Sequence, residues 1–118
     1  MNPKPNPPAI NLQPLIDSGM EEMLPQLIAI FLETAPRTIE NAGIALRASN
    51  AGELTHAVHS LNGSCSNFGA TRLRELCKQL ENLGRSESLQ AAPELLESVE
   101  KEFSIVQAEL LSYLERAE

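Results

Sequence analysis

Tryptophan is absent, and one tyrosine and three phenylalanines make up the whole aromatic content of this 118-residue chain. Strands draw on aromatic and β-branched side chains for cross-strand packing. The apolar 42% of the chain comes instead mainly from Leu, Ala and Ile, which favours helices and predicts an all-α fold. Basic residues are also few, nine against sixteen acidic ones, for a formal net charge of -7. A phosphate backbone would be repelled by such a surface, so a nucleic-acid partner is not expected.

The two cysteines, Cys65 and Cys77, are too few for the disulfide framework of a small secreted domain. The opening residues "MNPKPNPPA" lack the apolar region of a signal peptide. These features point to a reducing, cytoplasmic setting, with both cysteines packed in the core as small hydrophobes. No run of eighteen apolar residues is present, so no direct membrane contact is expected. Also missing are an HExxH pattern and a Cys/His cluster, so the metal-ligand expectation is none.

Four of the eight prolines fall within the first eight residues, which predicts a flexible lead-in or linker over residues 1–9. Residues 10–118 then read as one helical domain. "INLQPLIDSG" suggests a short capping helix stopped by Gly19. From Met20, apolar residues recur at helical spacing to Leu46, with Pro36 either kinking one long helix or dividing two. Ser49 and Asn50 mark a boundary, and a further helix is predicted over 51–66. "GATRLRELCKQLENLGR" repeats the pattern with Gly84 as its stop. "SESLQAA" is expected as a loop before a final helix from Pro93 to about Glu115. Four long helices with short connections predict an antiparallel four-helix bundle with a short N-terminal capping helix.

Both histidines lie in "HAVHSLNGSCSNFGA", three residues apart. At 100° per residue, Leu54, Ala57, Val58, Leu61, Cys65 and Phe68 share one arc, the core face. His59 points roughly 150° away from the centre of that arc, into solvent. Gly63 lies one turn further on the same outward face, flanked by Thr55 and Ser66. A glycine there costs about 1 kcal/mol relative to alanine, and it leaves the imidazole open to close approach. An accessible imidazole can move protons or attack phosphorus. His56 and His59 share a face at i, i+3, with Glu53 three residues before His56, which offers at most a weak, incomplete two-histidine metal site. A general-base enzyme would need a concave pocket that a convex helix face does not offer.

The stretch "HSLNGSCSNFGATRLRELCKQLE" resembles the signature of the histidine-containing phosphotransfer (HPt) domains of multistep two-component signalling. That signature runs His-x-Leu-Lys-Gly-Ser-Ser, then Gly-Ala, then a leucine-rich helix ending Leu-Cys-x-x-Leu-Glu. His59, Leu61, Gly63, Ser64, Gly69, Ala70, Leu73, Leu76, Cys77, Leu80 and Glu81 are in step with it, and "LIAIFLETAP" resembles the family's second helix.

The resemblance implies that His59 accepts a phosphoryl group from a receiver-domain aspartate and hands it to another, within a phosphorelay that includes a hybrid sensor histidine kinase. The protein would be a monomeric carrier rather than an enzyme. It would have no cofactor of its own, because the partner response-regulator receiver domain supplies the Mg²⁺. Glu81 matches the position of a polar partner for the histidine. Asn62 stands where the signature has lysine, and Lys78 on the next helix is the candidate to replace part of that charge. The docking surface is expected around His59, Gly63, Thr55 and Ser66, with Leu12 or Ile16 from the capping helix at its edge. The alternative is a helical interaction module of the same fold in which Asn62 has abolished transfer.

Overall fold

The computed structural model describes residues 8–117. Within that span the chain forms five α-helices and no strand. A short α1 (Gln13–Asp17) leads through a 3₁₀ turn (Glu21–Met23) into α2 (Leu24–Arg47), followed by α3 (Ala51–Ser66) and α4 (Thr71–Arg85). A second 3₁₀ turn (Leu89–Ala91) then leads into α5 (Ala92–Ala117). Helices α2 to α5 pack in sequence, and α5 returns to α2, which closes an antiparallel four-helix bundle.

Helix α2 passes through Pro36 without a break. Pro36 sits on the exposed face, while Leu24, Ile28, Phe31, Ala35, Ala42 and Ala45 keep a continuous buried stripe. Proline's missing donor therefore leaves a solvated carbonyl, and packing on the inner face holds the helix together. Near the proline, the Thr34 hydroxyl donates to the Ile30 carbonyl (3.0 Å) and the Thr38 hydroxyl to the Thr34 carbonyl (3.1 Å).

The α2–α3 connection turns at Ser49, whose φ is 53°. Asn50 caps α3, its side-chain oxygen accepting from the Glu53 amide at 3.1 Å. All three phenylalanines meet in the core. Phe31 of α2 lies 5.0 Å from Phe68 and 5.8 Å from Phe103 of α5, ring centre to ring centre in tilted pairs. Leu54, Leu73, Leu80 and Leu110 are fully buried around them.

Of the lead-in expected over residues 1–9, residues 1–7 lie outside the described span. Ala9 departs from that expectation, because its amide donates to both carboxylate oxygens of Glu109 on α5, at 3.0 and 2.9 Å. Two residues on, the Asn11 amide donates to the Phe68 carbonyl at 2.8 Å. Gly69 has φ 62°, and a Cβ there would come within 2.5 Å of the Asn11 carbonyl oxygen. A side chain at 69 would thus push the N-terminal segment off the α3–α4 turn.

Helix α4 ends one residue past Gly84, at Arg85, so Gly84 lies in its last turn, where it is buried, and the chain reverses at Glu87 (φ 56°). A Cβ at 84 would stand 2.3 Å from Oγ1 of Thr55 and 3.4 Å from the Ala51 carbonyl oxygen, so this glycine is where α3 and α4 touch. At Gly63 a Cβ would meet nothing within 4 Å. The two Gly→Ala changes should therefore have opposite signs in urea denaturation. Gly84→Ala should lose about 1–3 kcal/mol by overpacking, and Gly63→Ala should gain about 0.5–1 kcal/mol from helix propensity alone.

Candidate functional site

Thr55 lies against Gly84, and from this contact α3 and α4 run antiparallel. One turn along α3 from Thr55 stands His59, and one turn back along α4 stands Glu81. Nδ1 of His59 lies 3.2 Å from Oε1 and 3.3 Å from Oε2 of Glu81. The imidazole side chain is 69% exposed and the carboxylate only 9%. Arg85, one turn further on α4, closes an ion pair on Oε2 of Glu81. Burial alone would oppose the charge on this carboxylate, and the guanidinium offsets that cost.

A carboxylate oxygen accepts, so a hydrogen bond from the neutral ring to Glu81 requires the proton on Nδ1. Nε2 is then left with its lone pair, directed away from Glu81 on an exposed ring. The arrangement presents an oriented, exposed imidazole on a helix face. Arg85 was not singled out from the sequence, although the Glu81-to-Arg85 spacing of i, i+4 is a helix ion-pair signal.

The other expected residues are placed as follows. Gly63 is exposed with open space above it. Ser66 is exposed, its hydroxyl donating to the Asn62 carbonyl at 2.9 Å. Asn62 is half-buried, and its side-chain oxygen is buried without a hydrogen-bond partner. Lys78 is exposed on α4.

Thr55 is half-buried, with its hydroxyl donating to the Ala51 carbonyl at 2.7 Å. Its place against Gly84 gives it a seam position rather than the open docking position expected of it. Leu12 is 8% exposed and belongs to the core, which withdraws it from the docking edge. Ile16 is half-buried and lines a shallow cavity with Glu109, Tyr113 and Arg116 of α5.

His56 is exposed along a groove between α2 and α3 with Thr38, Asn41, Ile44 and Ser60, and has no contact with Glu81. Among the described residues no three His, Cys, Asp or Glu side chains converge in a metal-binding arrangement. Cys65 and Cys77 are fully buried on the facing sides of α3 and α4. Hydrogen bonding to Cys65, and then burial, push the Cys77 thiol well up, which keeps it protonated and unreactive.

Removing the acceptor should release the tautomer. In ¹⁵N NMR at a pH where the ring is neutral, Glu81→Ala should shift His59 from the Nδ1–H form toward the Nε2–H form. His56 in the same sample should not change. An unaltered His59 pattern would mean that Glu81 does not hold the ring.

Comparison with known proteins agrees with this geometry. Residues 26–117 match the model of the Hpt domain family. Histidine-containing phosphotransfer protein 2 of Arabidopsis thaliana is 24% identical over 102 residues, covering 84% of this chain and 65% of that protein. Histidine-containing phosphotransfer protein 1 of the same plant is 23% identical over 103 residues, covering 86% and 67%. The chain thus spans about two thirds of the length of these relatives. The crystal structure of histidine-containing phosphotransfer protein B from Pseudomonas aeruginosa superposes with a TM-score of 0.86 at 33% identity, over 92% of this chain and 96% of that one. A match over most of its length, on a four-helix bundle that carries an exposed histidine, places this chain in the Hpt domain family.

Proposed function

We propose that this domain is a phosphorelay intermediate in which His59 carries the phosphoryl group. The observation that supports it best is the Nδ1 contact with Glu81, which leaves Nε2 free on a ring open to solvent. In the forward step the Nε2 lone pair attacks phosphorus of an aspartyl phosphate on a receiver domain. The P–O bond to the aspartate breaks, and the aspartate leaves as a carboxylate. The ring becomes cationic as the N–P bond forms, and Glu81 opposes that charge through the Nδ1 proton. Transfer to a second receiver reverses these steps.

A convex helix face cannot exclude water or bind a metal by itself, so the receiver must bring the concave acidic pocket and its Mg²⁺. The domain is accordingly a carrier rather than an enzyme, a cytoplasmic monomer that shuttles between the receiver of a hybrid sensor kinase and that of a response regulator. Among the described residues no helix is long and apolar enough to cross a membrane. The open space over Gly63 supports the same reading, because a partner backbone can approach His59 there without meeting a side chain.

The test is to mix the protein with receiver domains charged with labelled acetyl phosphate and Mg²⁺. Label should appear as acid-labile, alkali-stable phosphate and be lost in His59→Gln. Glu81→Ala should slow acceptance on the order of 10- to 100-fold by loosening the ring's orientation, with helicity retained. Gly63→Leu should abolish transfer while the fold stays intact. Absence of label in the wild type with several receivers would favour an interaction module of the same fold, with Asn62 as the reason.

A further inference from the structure

Positive charge is scarce in this chain and unevenly placed. Nine Lys and Arg face sixteen Asp and Glu overall, yet α4 alone carries Arg72, Arg74, Lys78 and Arg85 against Glu75 and Glu81. At 100° per residue, Arg74, Lys78, Glu81 and Arg85 fall within roughly a 60° arc and form one stripe along the helix. Glu81 shows which way this stripe faces, since its carboxylate reaches His59 on α3. Arg72 projects to the other side, where it pairs with the buried Glu102 of α5 at 3.3 Å.

The antiparallel register carries the stripe beside the histidine row. With Thr55 against Gly84, His59 against Glu81 and Cys65 against Cys77, the part of α4 that carries Lys78 and Arg74 runs beside the part of α3 that carries Asn62, Gly63 and Ser66. Asn62, Gly63 and Ser66 are uncharged, so any cation at that level comes from α4.

Arg74 and Lys78 are the two cations of this stripe left without an ion pair among the described residues. Arg85 is committed to Glu81 and Arg72 to Glu102. Arg74 and Lys78 are both exposed. They are also like charges at i, i+4, which disfavours the helix that holds them. In a chain with an excess of carboxylates, folding has no use for that arrangement.

Resting on the reading of His59 as phosphoacceptor, we propose that Arg74 and Lys78 are the cationic half of the docking surface, built to receive an acidic protein face. That face is the carboxylate-lined rim of a receiver domain's phosphorylation pocket. The pair supplies from α4 the charge that Asn62 does not supply from α3. Lying beside His59 rather than under it, the pair acts chiefly on encounter, raising the association rate of an oppositely charged partner.

The experiment follows the second-order rate of label transfer from receiver domains charged with acetyl phosphate and Mg²⁺, between about 20 and about 500 mM NaCl. At low salt, Arg74→Glu/Lys78→Glu should be slower than wild type on the order of tenfold or more, and the difference should shrink as salt rises. Arg37→Glu/Lys101→Glu, which changes net charge equally at distant ion-paired positions, is the control. Equal slowing in the two doubles, or a deficit independent of salt, overturns the proposal while leaving the carrier reading intact. Arg74→Gln/Lys78→Gln provides the same comparison if the reversed pair disturbs folding, and Lys78→Arg should restore the salt response. A wild-type protein that takes no label from any receiver overturns the carrier reading, and this proposal with it.

Discussion

The close approach of α3 and α4 at Gly84 is the constraint on which the site depends. His59 is exposed and Glu81 is buried, and they meet at 3.2 Å only because the two helices are drawn together one turn away, where Thr55 fills the space a Cβ would occupy. Cys65 and Cys77, small and fully buried, serve the same seam on the other side of the histidine. Around it the leucines of α3 and α4 and the phenylalanine cluster provide the burial that holds the bundle, roughly 1.5–3 kcal/mol for each large apolar side chain. The seam itself adds position: it sets the register that places a carboxylate under an imidazole.

A charged group at the edge of a core needs partners, and the site satisfies Glu81 from two directions. Arg85 approaches on the same helix and His59 from across the seam. Charge-assisted hydrogen bonds of this kind contribute about 1.5–3 kcal/mol each, enough to hold a carboxylate that would otherwise be poorly solvated. The same geometry restrains the ring, so the contact that helps satisfy the buried carboxylate also orients the imidazole. Gly63 works in the opposite sense. It contributes nothing to packing and weakens α3 by about 1 kcal/mol relative to alanine, leaving open space beside the imidazole.

How far the site could be read from sequence depended on whether a residue's role lay within one helix or between two. The periodicity of α3 separates His59 from the core and sets Gly63 beside it, because both facts follow from the angular spacing of a single helix. Glu81 rested on the family resemblance, and its contact with His59 required the register between helices. Thr55 looked free because a helical wheel does not show the glycine of the neighbouring helix. For the same reason Gly84 read only as a stop: it does lie at the end of α4, but its contact with Thr55 belongs to the neighbouring helix. Leu12 read as an edge residue because α1 is too short for periodicity to separate its faces. Pro36 left two alternatives open, and packing of the inner stripe decided for one helix.

The convex placement of His59 has a further consequence for how selectivity arises. An enzyme with a pocket can discriminate by what fits inside it, with water excluded and polar groups fixed. A histidine on a helix face has no such enclosure, so the chemistry has to be completed by whatever docks. If the domain carries phosphate as proposed, discrimination lies in how the surface around the ring meets its partner: the bare patch over Gly63, the neutral row of Asn62 and Ser66, and the charged border of α4. On the proposed reading, the asparagine at position 62 need not leave the site without positive charge. Cations on the neighbouring helix would act on approach and orientation, because electrostatic attraction between exposed groups operates over about 10 Å in physiological salt.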